Sequence, residues 1–277
     1  MNTGVQLGRG CKADDRTHPF CMAQKPAQVL LGKVGASNAP KGKADLSRFE
    51  PGVYDQGGTE SCTAHAASRC LVVRYAALGK PLPFIPSMLA IWSASVLDEA
   101  SPVPTPAELL AMNTGVASMT AMIAIGRGIR AMGPLSPDGR FSDVAVGPVA
   151  AGLDQMTAEA LRPQVGEYRL DETDSSWPTL AACCLDSGIP VYVGMNVGPI
   201  YDGWTPNMPP IDTDEVPSET ANGGHAVELR GYETTSSGLV FTSTGSYGTG
   251  FADQGVWRFT ARGLMLRCFD AYAMEVS

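Results

Sequence analysis

The chain has 277 residues, 44% of them apolar and 17% charged, with 31 glycines and 21 prolines. That composition excludes a coiled coil, a collagen and a disordered tail, and leaves one large domain or two packed lobes. A net charge of −8, with no basic cluster beyond the sparse KGK at 41–43, argues against a nucleic-acid partner.

Seven cysteines are too few for a disulfide-built secreted domain, and their odd number leaves at least one thiol free. Residues 1–20 contain no apolar signal-peptide core, and no apolar run approaches the length of a membrane span. The expectation is a soluble protein with no Sec signal and no membrane partner. It would work in the cytoplasm of the producing cell or leave by a non-Sec route, as a secretion-system effector or phage component does.

In chain order, residues 1–43 are polar and rich in Gly, Pro and Lys, which predicts an extended N-terminal arm. The main domain is expected over 44–277. SCTAHAASRCLVVRYAAL (61–78) reads as a buried helix stopped by Gly79 and Pro81. PSMLAIWSASVLDEA (86–100) opens a second helix on Pro86, and SMTAMIAIGRGIRAM (118–132) has the spacing of a third.

Beyond about residue 165 the texture changes to short β-rich runs at 189–197, 225–233, 239–244 and 256–260, set off by Gly, Asp and Ser turns. A helical lobe over about 60–165 followed by a strand-rich lobe over about 166–277 predicts an α+β protein with a cleft between the lobes.

Only His18, His65 and His225 are available for imidazole chemistry. Cys62 falls at the start of the first helix, where unpaired N–H groups and the helix dipole favour a thiolate. His225 begins a β run behind Gly223 and Gly224, a place where another chain can approach closely. Taken singly, the cysteine is a small core residue and the histidine a strand-end imidazole. A metal site built from Cys62, His65, Cys183 and Cys184 would need two adjacent cysteines to ligate together, which is poor geometry, so neither a metal nor another cofactor is expected. His65 is expected to pack beneath the site.

VYDQGGTESCTAHA (53–66) resembles the Gln-Gly-x-x-x-Ser-Cys motif of papain-like (C1 family) cysteine peptidases in a bacterial variant. Thr59 and Thr63 depart from the wider family pattern, the first where a disulfide cysteine would stand. Similarity continues through 43–57, 84–100 and 113–129 to GGHAVELRGYE (223–233), and weakly over 9–33. The resemblance implies a papain-like two-lobe fold, with a helical N-terminal lobe and an antiparallel β-barrel-like C-terminal lobe. It also implies a cysteine endopeptidase acting on peptide or protein substrates.

Carried onto this chain, the resemblance makes Cys62 the nucleophile, His225 its imidazolium partner and Gln56 the side-chain oxyanion donor. Gly115 would bind the peptide backbone, and Gly194, Gly224 and Ala226 would line a roomy specificity pocket. The usual asparagine that orients the histidine is replaced by Gly245 in TGSYGTGFADQG (244–255). Asn222, Ser243, Thr244 and Ser246 are the candidates to take its place. Two other readings stay open: a catalytically degenerate binding or structural protein, and another thiol amidohydrolase or acyl transferase on the same scaffold. Residues 1–43 are expected to act as a pro-segment lying along the cleft, with Cys11 as a redox or covalent latch, and the 204–217 insert to roof the cleft in part.

Overall fold

A computed structural model describes residues 10–105, 108, 112–127, 165–213 and 224–276. The expected helices and strands are present with small changes at their ends: α3 (Cys62–Ala77), α4 (Met88–Glu99), β6 (Val191–Asn196), β7 (Gly224–Thr235), β8 (Gly238–Thr244) and β9 (Val256–Thr260). Helix α5 (Ser118–Arg127) occupies the described part of the third predicted helix. The Ser87 hydroxyl accepts the Ala90 N–H at 3.1 Å, which satisfies an orphan donor of the first turn and fixes where α4 starts.

Helix α3 is buried almost all round because it runs through the centre of the molecule. Small residues such as Ala64, Ala66, Ala67 and Ser68 allow neighbours to approach from every side, so its polarity shows no helical stripe. The two arginines it buries bring their counterions. Arg74 makes a forked pair with Glu275, with its Nη2 2.6 Å from Oε2. Arg69 lies between Glu50 and Glu228, stacks over the Tyr54 ring and donates to the Gly52 carbonyl at 2.6 Å.

The strands form one sheet in the order β2 (Lys25–Pro26), β5 (Val165–Arg169), β10 (Cys268–Val276), β6, β7, β1 (Cys11–Lys12) and β4 (Val116–Ala117). On β7 the path branches to β3 (Lys43–Asp45) and to β8, which carries β9. The strand-rich lobe is therefore an open sheet rather than a closed barrel. Two apolar cores flank it. One is built around Trp177, Trp257, Phe241 and Phe259, and the other around α3, α4 and α5.

Residues 10–33 are not a simple extended arm. They contain α1 (Pro19–Ala23) and α2 (Ala27–Lys33), and the apolar pair Leu30 and Leu31 of AQVLLGK is fully buried in the main core. Full burial of each leucine is worth about 1.5–3 kcal/mol, which holds this segment to the body. Ahead of α2, the chain carries the two-residue strand β1. Cys11 pairs in parallel with Val116 of β4 and antiparallel with Gly224 of β7.

Candidate active site

Cys62 is the first residue of α3, and its side chain is fully buried. Its sulfur accepts the main-chain N–H groups of Ala226, Gly10 and Thr63. The Ala226 contact brings the start of β7 against the start of α3, so the residue next to His225 touches the sulfur. Burial outweighs these donors and pushes the thiol up to about 11. With residues 10–16 in place the group is a neutral thiol, whereas its helix position alone led to a thiolate.

His225 is fully buried and packed among aromatics. Its ring stacks on Tyr247 at 4.4 Å and meets Tyr201 edge-on at 5.6 Å. Tyr201 in turn stacks flat on Trp257, 4.6 Å between centroids and 3° between planes. These rings also explain Gly245: a Cβ there would stand 2.7 Å from the Trp257 ring and 3.1 Å from the Tyr201 hydroxyl. The space beside Gly245 is filled by aromatic side chains.

Two of the residues suggested to steady His225 are engaged elsewhere. The Thr244 hydroxyl donates to Glu50 at 2.6 Å, and the Ser246 hydroxyl donates to Oε1 of Gln56. Ser243 is buried in the β7–β8 ladder opposite Leu229. Asn222 lies outside the described residues, as do residues 214–217 of the insert.

Gln56 is buried, and its side chain is fixed at both ends, by Ser246 and by donation from Nε2 to the Thr59 carbonyl at 2.5 Å. Its own N–H donates to the Ser246 carbonyl at 2.8 Å, which ties the Gln56 turn to the loop carrying Tyr247. His65 lies one turn below Cys62, with Nδ1 2.8 Å from the Ser61 carbonyl, and burial lowers its pKa to about 4, so it is neutral. Cys183 and Cys184 sit in the core on the other side of the sheet from the one that contains Cys62.

Three of the predicted substrate-binding positions, Gly115, Gly194 and Gly224, meet the N-terminal segment. Gly115 and Gly10 are packed backbone to backbone, so that a Cβ on either would overlap the other. The Cys11 sulfur lies 3.1 Å from where a Gly194 Cβ would stand, and the Cys11 carbonyl presses on the same position of Gly224. Gly194 and Gly224 pair with Ala226 and Asn196 in the β6–β7 ladder. The Phe269 ring fills the space beside both glycines, 2.7 and 2.9 Å from their Cβ positions. The pocket is therefore narrower than a run of small residues suggests.

Residues that sequence reasoning missed anchor this strand. The Asp14 carboxylate accepts the Met119 N–H at 2.7 Å and the Tyr272 hydroxyl, and the Asp14 N–H donates to Oδ2 of Asp270 at 3.1 Å. Nη2 of Arg16 reaches Asp270 at 2.7 Å, Glu172 at 2.6 Å and the Phe269 carbonyl at 2.5 Å. Asp270 is fully buried; burial raises both carboxyls, and the Asp14 charge further raises Asp270, to about 7. The signal available in the sequence was a lone aspartate in the apolar run CFDAYAMEV.

No protein-family model matches the chain, and no curated protein matches its sequence. Solved structures do match. Xylellain, a cysteine protease from Xylella fastidiosa, is 21% identical over 99% of this chain and 97% of its own, with a TM-score of 0.70. Digestive procathepsin L 3 of the Tenebrio molitor larval midgut is 17% identical over 98% and 77%, with a TM-score of 0.57. Bromelain from Ananas comosus, in complex with the E64 inhibitor, is 15% identical over 85% and 99%, with a TM-score of 0.58. An α+β chain superposable on these structures over most of its length has the papain-like fold.

Proposed function

We propose that this chain is a papain-like cysteine peptidase whose first residues occupy its own substrate cleft. The observation that carries the reading is the contact between the Cys62 sulfur at a helix start and the main-chain N–H of Ala226, the residue that follows His225 in the chain. In the reaction His225 takes the thiol proton and the Cys62 sulfur attacks the carbonyl carbon of the scissile amide. The oxygen gains the charge, and the Cys62 main-chain N–H and one amide N–H of Gln56 donate to it. His225 then gives its proton to the leaving amine, and water, deprotonated by the same imidazole, hydrolyses the thioester and restores the thiol.

The arm supports this reading in two ways. Gly10 to Lys12 already adopt the strand pairing that an extended peptide would use, with Cys11 filling a side-chain pocket. Burial raises the Cys62 pKa even though the Gly10 N–H lowers it, so displacement of residues 10–16 removes the steric block and the share of the burial they supply. Because α2 is built into the core, the displaceable part ends before Ala27. A peptide or protein is the substrate, and residues 1–43 include an autoinhibitory segment.

The test is hydrolysis of an unstructured protein such as casein. Cys62→Ala and His225→Ala should each abolish it, and Gln56→Ala should lower kcat by about 10²–10³. Gly245 favours a second reading, a degenerate relative that binds peptides without cutting them. No hydrolysis by any form, including one freed from its arm by Arg16→Ala, would favour that second reading over the first.

A further inference from the structure

We propose that Asp270 makes the pocket now filled by Cys11 selective for a basic side chain, a specificity that rests on the peptidase reading above. The pocket is bounded by Gly194, Gly224 and Phe269, and its far end is polar. The Cys11 sulfur lies 3.5 Å from the Ser118 hydroxyl and 3.8 Å from that of Tyr192. Ser118 passes its proton on to Oδ2 of Asp270 at 3.0 Å. The carboxylate thus stands one hydroxyl beyond the end of a cysteine side chain. Lysine and arginine continue several atoms past that point, whereas a long apolar residue would meet the carboxylate without a partner.

The arm itself shows what this carboxylate takes. The guanidinium of Arg16 is seated on Oδ1 of Asp270 at 2.7 Å, with the Phe269 carbonyl and Glu172 as further acceptors of the same nitrogen. Glu172 keeps a cation when the arm leaves, because Arg169 lies 2.8 Å from it. Among the described residues no second cation is paired with Asp270: it loses Arg16 and the Asp14 N–H together and retains the Ser118 hydroxyl. A carboxylate in a pocket wall with one hydroxyl partner is best satisfied by an incoming cation. Departure of Asp14 also removes the like charge that raises Asp270, so the pocket becomes more readily ionised once the arm has gone.

Three short peptides differing at one position, arginine, citrulline or norleucine, test the pocket against the full chain. Citrulline keeps the shape of arginine without its charge. Arm docking scales the apparent affinity of all three by the same factor, so their ratios report the pocket alone. In the Cys62→Ala full-length protein, calorimetry should show the arginine peptide binding roughly tenfold to a hundredfold tighter than the citrulline one. Asp270→Asn should remove that ratio.

Equal binding of arginine and citrulline, no binding of any of the three, or a ratio that survives Asp270→Asn overturns the proposal. Wild-type hydrolysis of casein separates the two readings. Cys62-dependent cleavage without arginine preference sinks the specificity alone, and arginine-selective binding without cleavage sinks the peptidase reading alone.

Discussion

Gly10 and Gly115 pack with their backbones in direct contact, at a distance that admits no side chain on either residue. The relationship holds the N-terminal segment against residue 115, with the Gly10 N–H at the buried Cys62 sulfur.

Release of the arm should expose the thiol. Arg16→Ala removes a three-acceptor clamp and should raise the rate at which iodoacetamide alkylates Cys62 by about tenfold or more at about pH 6, where ordinary thiols react poorly. Mass spectrometry of the labelled peptides reads the site. Equal rates in wild type and variant would show that the arm does not protect Cys62.

Docking of the arm should weaken as pH rises. With the arm in place Asp270 titrates near 7 instead of at its ordinary 3.8, and Asp14 is raised in the same direction. Burial raises both and the Asp14 charge also raises Asp270, against the opposing influence of Arg16 on both, of Ser118 on Asp270 and of the Tyr272 hydroxyl on Asp14. The docked state therefore holds a proton that the released state gives up. Its contribution to docking is complete below the ordinary carboxylate range, declines as pH climbs through 7 and is flat above that. Tryptic cleavage after Arg16, normalised to a reporter peptide at each pH, should accelerate over this window, and Asp270→Asn should flatten the curve. A cleavage ratio independent of pH in the wild type would refute the coupling.

Placing an asparagine at position 245 should do harm. A side chain at 245 must displace Trp257 and the Tyr201 hydroxyl, so Gly245→Asn is expected to destabilise the fold by about 1–3 kcal/mol and to leave activity no higher. Urea unfolding gives the first quantity and casein hydrolysis the second. A stable, faster variant would mean that the aromatic cage is not what holds His225.

The boundary of the removable segment can be measured through stability. Leu31→Ala empties part of the main core and should cost about 2–5 kcal/mol. Met22 is 73% exposed, and Met22→Ala should fall within about 0.5 kcal/mol of wild type. If both substitutions prove neutral, α2 belongs to the pro-segment rather than the body.

Helices α3 and α4 and strands β6 to β9 were legible because each has either a capping and stop signal or a β-rich run between turns. Helix α2 and strand β10 were not. AQVLLGK is too short for periodicity to identify, and its helix is decided by the core that buries Leu30 and Leu31. CFDAYAMEV alternates imperfectly because both of its faces are buried and one residue is an anchoring aspartate. At the site, motif spacing singled out Gln56, Cys62 and His225. The partners of Ser246 and Thr244 depended on Gln56 and Glu50, far away in the chain.

By itself the order of residues singled out the groups proposed to carry chemistry here: a cysteine opening a helix, a histidine opening a strand, a glutamine shortly before the cysteine, and the glycine at 245. Those are local properties, set by main-chain geometry over a few residues. Only the tertiary structure decided the protonation of Cys62, the filling of the Gly245 space by Tyr201 and Trp257, and the meeting of Arg16 with Asp270. Desolvation, steric fit and ion pairing act between groups distant in the chain, and no stretch of sequence records who its neighbours will be.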